Sequence, residues 1–208
     1  MDQSYTLPKI SRLPLAHVFM IGLLIVELLG ATNVLPISDK PIWLGVVATG
    51  IGSWAVIGLA RWRQRQRGDM WLTEWAAGLI VALIYLDALG NMFDWYDSWR
   101  WFDVVVHTSS GLVGTAVAWQ ILYALTTHYA LEIPLWVHAL FALFTFAFLA
   151  VLVELLEFVA DRIYGIEGYW LGSGIDTVGD LAAGVSGGLL TIGGAYLYWK
   201  IRPQSRPG

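Results

Sequence analysis

Six long apolar stretches, separated by short polar connections, organise this chain. They run roughly over Leu13–Leu35, Pro41–Trp62, Met70–Phe93, Trp101–Thr127, Pro134–Ala160 and Ile175–Trp199. Each reaches the ~20 residues that an α-helix needs to cross a hydrocarbon core. None alternates with a period of two, and all are longer than a membrane strand. The pattern predicts an all-α integral membrane protein, a bundle of about six transmembrane helices. The first stretch is too long for a signal-peptide core and has no clear small-residue cleavage site after it, so it reads as a retained helix. No internal repeat is visible and the tails are short, so residues 1–208 read as a single polytopic membrane domain.

Composition strengthens this reading. Hydrophobic residues make up 57% of the chain and charged residues 13%, with a mean hydropathy of +0.62. The usual charged share of a soluble domain is about 25%, so an ordinary soluble enzyme and a disordered chain are both excluded. A net charge of −4 leaves no basic footprint for a polyanion, which argues against a nucleic-acid partner. The absence of cysteine removes disulfides, thiolate metal sites and cysteine nucleophiles.

The basic residues orient the bundle. With six spans, one side carries Lys9, Arg12, Arg61, Arg63, Arg65, Arg67, Lys200, Arg202 and Arg206, and the other carries Lys40, Arg100 and Arg162. The positive-inside rule then puts both termini in the cytoplasm, in the inner (plasma) membrane. The Arg61–Arg67 run reads as a topology anchor on anionic headgroups.

That orientation gathers the acids at the outer face. Asp87, Asn91 and Asp94 fall at i, i+4 and i+7 of the third span; Asp103 and His107 at i, i+4 of the fourth; Glu154, Glu157 and Asp161 at i, i+3 and i+7 of the fifth; Asp176 and Asp180 at i, i+4 of the sixth. Four consecutive helices each carry one polar stripe. The region 85–190 is therefore the expected site-bearing part. An ionisable side chain deep in a bilayer costs roughly 2.5–3.5 kcal/mol on insertion scales, so these stripes should face the bundle interior. Nine carboxylates (these eight with Asp97) share that end with two cations, Arg100 and Arg162. Such a cluster must bind protons, bind metal or stay wet. Oxygen ligands with one imidazole suit Mg²⁺, Mn²⁺ or Ca²⁺, with Zn²⁺ accessible through His107.

Plainer readings stand beside this one. Asp97, Asp161 and Glu167 read equally as solvated loop charges, Asp94 as a helix-end charge near Arg100, and Asp103 and Asp176 as charges at helix N-termini. These readings do not cover Asp87, His107, Glu154 or Glu157, which lie further in. Glu27, near the middle of the first span, reads as a neutral carboxyl hydrogen-bonded to a neighbouring helix, as a proton carrier or as an outlying part of the acidic site. His17, His128 and His138 read as interfacial or structural. The segment Arg162–Ile175, rich in Gly, Tyr and Trp, reads as a lid or as an ordinary turn with interfacial aromatics. Trp95, Trp99 and Trp101 read as an aromatic belt. Gly184 and Gly188 have the spacing of close helix packing.

The ordered elements Asp87–Asn91–Asp94, Trp101-Phe102-Asp103-x3-His107 with Gly111, Glu154-x2-Glu157-x3-Asp161 and Asp176-x3-Asp180-x3-Gly184 resemble the uncharacterised bacterial inner-membrane family that includes YjdF. More distantly, the chain is similar to VanZ-like membrane proteins, but with Glu157 in place of Gln and Asp180 in place of Asn. The resemblance implies a polytopic membrane protein, and the two extra acids favour a metal.

The expected function is a metal-dependent membrane hydrolase or transferase acting on a lipid or lipid-linked headgroup. Asp103, His107, Glu157 and Asp176 would hold the ion, with Asp87, Glu154 and Asp180 as catalytic groups or further ligands. The partners expected are membrane lipids. One alternative is an accessory subunit whose acids pair with a partner protein's cations. The other is an ion or proton-coupled transporter, which the apolar runs Leu112–Ala118 and Leu135–Val153 disfavour.

Overall fold

A computed structural model describes residues 14–32, 34, 40–67, 72–165 and 172–201, and among these the chain is helical, with no strand. The helices are α1 (Pro14–Ala31), α2 (Lys40–Arg67), α3 (Glu74–Met92), α4 (Trp95–Ser98), α5 (Phe102–His128), α6 (Leu135–Tyr164) and α7 (Gly174–Ile201). The six long ones fall on the six apolar stretches, and α4 is one additional turn. The chain forms two compact units, Met1–Phe93 and Asp94–Gly208.

In the first unit α1, α2 and α3 pack on one another. Met20, Leu23 and Leu24 of α1 are buried, with Val47 and Ile57 of α2 and Ala76, Ala77, Val81, Ile84 and Ala88 of α3. The Tyr85 hydroxyl donates to the Phe19 carbonyl, and the two rings meet edge to face at 6.2 Å. The Gln64 amide donates to the Leu72 carbonyl at 3.1 Å. α3 stops at Met92, and Asp94 takes the left-handed conformation with φ 52°. Asp94 therefore leaves the helical face that Asp87 and Asn91 share, which corrects the expected three-residue stripe.

In the second unit α5, α6 and α7 form a three-helix cluster, with α5 against α7 at its centre. Glycine allows that approach. A Cβ on Gly111 would overlap the Gly184 carbonyl oxygen, and one on Gly187 would overlap the Thr108 carbonyl oxygen. Phe146 of α6 fills the space beside Gly114 and Gly184. The Thr191 hydroxyl donates across the pair to the Leu112 carbonyl at 2.9 Å.

At the other end of α5, Thr126 Oγ1 and His138 Nε2 lie 2.9 Å apart, both residues buried, and the other ring nitrogen is 3.3 Å from the Pro134 carbonyl. His138 thus fastens the α5–α6 connection, as a structural histidine does. Replacing it with alanine removes the link between the helices and leaves the Thr126 hydroxyl its bond to the Tyr123 carbonyl at 3.0 Å. An unfolding measurement should show His138→Ala less stable by ~0.5–1.5 kcal/mol, the usual net worth of one hydrogen bond.

α6 is inside out relative to a helix of a soluble protein. Its buried positions include His138, Glu154 and Asp161 beside small Ala139 and Ala142. Its exposed positions are Phe141, Phe144, Phe148, Leu152, Leu156 and Ile163, the last at 75%. An exposed apolar surface of this extent requires lipid around it. Among the described residues, Glu74–Met92, Leu135–Tyr164 and Gly174–Tyr198 are long and apolar enough to cross a membrane. α5 is more polar, through Asp103, His107, Thr108, Ser109, Ser110, Thr115 and Gln120.

Candidate functional site

Asp103 and His107 lie one helical turn apart at the start of α5, so their side chains stack on one face. α7 crosses that face closely because its glycines admit the α5 backbone, and this brings Asp180 alongside. His107 Nε2 lies 3.3 Å from Asp103 Oδ1 and 3.7 Å from Asp180 Oδ1. One ligand atom from each of the three residues lies within 4.8 Å of the others. The two carboxylates thus address the same imidazole nitrogen. A hydrogen bond also joins the Asp103 and Asp180 carboxyls, so a proton or a metal ion belongs among the three groups. Donors around a divalent ion at ordinary ligand distances stand ~3–3.7 Å apart, and the two spacings from His107 fall in that range. All three side chains are partly exposed, which leaves a path for an ion.

Glu154 reaches the same region from α6. It is 7% exposed, its carboxylate accepts a hydrogen bond from the Thr177 hydroxyl, and it interacts electrostatically with His107 and Asp103. Its Oε2 is buried with no hydrogen-bond partner among the described residues. A shielded oxygen of this kind costs at least ~1–3 kcal/mol unless a ligand satisfies it. Glu157, one turn on, is half-buried and faces the charges of Glu154, His107, Asp180 and Asp103. Three of the four expected stripes therefore converge within the second unit.

The remaining candidates sit differently. Asp176 is exposed, and its carboxylate lies against Gly172, whose φ is +66°. The cap of α7 is not Asp176 but Ser173, whose hydroxyl accepts the Asp176 N–H at 3.2 Å and whose carbonyl accepts the Thr177 N–H at 3.0 Å. The Ser-x-x-Asp spacing is the sequence signal for that cap. Glu157 and Asp176 are outside the set at mutual ligand distance, and Asp180 is within it. Asp87 belongs to the first unit, where Asn91 donates to its Oδ1 at 3.1 Å and to its carbonyl at 3.0 Å.

Among the presumed solvated charges, Asp161 is in fact buried at 6%, because the helix continues to Tyr164 and turns it inward. Asp97 is exposed on α4. Glu167 and the centre of the glycine-rich segment, 166–171, lie outside the described residues. Trp95, Trp99 and Trp101 stack in sequence, with centroids 5.1 and 5.6 Å apart. Trp99 and Trp101 are exposed, as interfacial aromatics are.

No curated protein and no solved structure matches the chain. A family model described as a predicted membrane protein, DUF2238, matches residues 16–200. That span takes in nearly all of α1 to α7, and the chain belongs to this family of predicted membrane proteins.

Proposed function

We propose that this protein is a metal-dependent enzyme of the inner membrane, holding one divalent ion at Asp103, His107 and Asp180 and acting on a lipid or lipid-linked headgroup. The observation that carries the reading is the meeting of His107 with two carboxylates beside the buried, unpartnered oxygen of Glu154. A divalent cation answers both at once. Asp103, His107 and Asp180 would hold it, and its charge would offset theirs and that of Glu154. Bound there, the ion supplies Lewis-acid chemistry toward a phosphoryl or acyl oxygen. Glu154, held by Thr177, would take a proton from the attacking water and return it to the oxygen that leaves as its bond to phosphorus or acyl carbon breaks, and Glu157 completes the acidic wall.

In this reading all six long helices cross the bilayer, both termini are cytoplasmic, and the Asp103 end of α5 faces outward. The stacked tryptophans then hold that end at headgroup depth, where a lipid-linked substrate presents its polar part. The ordered acidic motifs support kinship with the family that includes YjdF and, further off, with VanZ-like proteins. Mg²⁺, Mn²⁺, Ca²⁺ and Zn²⁺ remain the candidate ions.

The test is hydrolysis of lipid phosphates and lipid-linked esters by the purified protein in bilayers, with and without added divalent ion. Metal-stimulated turnover that falls ~10²–10⁴-fold in Glu154→Gln, with metal still bound, supports the reading. Turnover unchanged by chelation or by Glu154→Gln refutes it.

A further inference from the structure

The acids around His107 lack the cations from which a phosphate clamp is built. Between Trp101 and Trp199 the sequence holds a single lysine or arginine, Arg162. It is exposed on α6, with its guanidinium over the Phe158 ring at 5.3 Å from the centroid. Among the described residues, the charges that Asp103, Glu154, Glu157 and Asp180 face are one another, His107 and Asp176.

Hydrogen-bonding capacity points the same way. Ionised carboxylates accept and do not donate. Glu154 is only 7% exposed, and its Oε2 has no donor among the described residues. Its carboxylate interacts with His107 and Asp103, so it is turned into the cluster. Half-buried Glu157 stands one turn further along the same face of α6. A divalent ion at Asp103, His107 and Asp180 balances two of the four carboxylates and leaves two. That ion takes one phosphoryl or acyl oxygen, and the rest of a headgroup meets acceptors and negative charge. A second phosphate oxygen there is repelled. An ammonium group is attracted, because it brings a positive charge and three donors with no acceptor.

Resting on the headgroup chemistry proposed above, we propose that the substrate of this site bears a primary ammonium group, which Glu157 selects beside the unpartnered oxygen of Glu154. Glu157 is the acid left for that role once Asp103 and Asp180 hold the ion and Glu154 moves the proton.

Native mass spectrometry of the detergent-purified protein, loaded with Mn²⁺, reads binding without turnover. The probes are short-chain phosphatidylethanolamine, the same lipid with its amine acetylated, and phosphatidylglycerol of the same chains. Phosphatidylethanolamine should bind ~10–100-fold more tightly than either, as hydrogen bonds to a charged group allow. Glu157→Gln should make the three lipids equal, and Glu157→Asp, which keeps the charge, should keep the order. Equal binding by the wild type, or a preference that survives Glu157→Gln, overturns the proposal. Free ethanolamine locates the ammonium: weak competition at equal concentration assigns it to a lipid headgroup, and full competition to a soluble amine. Electron paramagnetic resonance of Mn²⁺ in the same samples tells an empty metal site from an absent ammonium preference.

Discussion

Gly187→Leu abolishes assembly of the second unit. A Cβ at this position overlaps the Thr108 carbonyl oxygen and comes within 2.9 Å of the Leu112 amide nitrogen. Both atoms are backbone, so no side chain can swing aside. Relief requires α5 and α7 to separate along their whole contact. Overpacking of side chains alone costs ~1–3 kcal/mol. A backbone collision costs more, against a total stability of about 5–15 kcal/mol. Gly111→Leu should fail in the same way, through the Gly184 carbonyl.

Gly194→Ala is the control, because a Cβ there meets nothing within 4 Å. It should be neutral, or stabilising by up to ~1 kcal/mol through helix propensity. Thermal unfolding in detergent, followed by gel filtration, separates these outcomes. Monodisperse Gly187→Leu with wild-type melting would refute the packing described here.

If the proposed metal site is right, Asp180→Asn and His107→Ala should each weaken divalent-ion binding by at least ~100-fold, since loss of even an outer-shell partner of a metal site costs roughly 10–100-fold. Titration with Mn²⁺ followed by electron paramagnetic resonance measures this. Asp176→Asn should change affinity far less, because that carboxylate is turned to Gly172. Acidification should weaken binding in the wild type, because protons compete with the ion for the carboxylates and the imidazole. An Asp180→Asn variant that binds Mn²⁺ as the wild type does would remove Asp180 from the site.

Most of the fold is legible in the order of apolar runs, because a helix that crosses lipid must be long, apolar and internally hydrogen-bonded. All six expected stretches are helices within a few residues of the expected limits. Helical spacing also foretold the stripes of α5, α6 and α7, since i, i+3 and i+4 positions share a face whatever the tertiary context. What spacing does not carry is rotation of one helix against another. Asp180 rather than Asp176 faces His107 because Gly184 and Gly187 set which side of α7 meets α5.

Asp161 is buried for a similarly non-local reason, as the inner face of α6 runs on to its last turn. Asp94 was misplaced by a local event, the left-handed residue that ends α3, for which a non-glycine sequence gives little warning. The Ser-x-x-Asp spacing carries the Ser173 cap, whereas the apolar pattern starts the helix one residue late, at Ile175.

Elemental analysis of the detergent-purified protein, beside a His107→Ala, Asp180→Asn double variant of unchanged melting temperature, bears most directly on the metal site. About one divalent ion per chain in the wild type and none in the double variant is the predicted result. Wild-type protein that stays metal-free in saturating Mg²⁺, Mn²⁺, Ca²⁺ and Zn²⁺ would contradict it, and would leave the carboxylates around His107 sharing protons or paired with a partner protein.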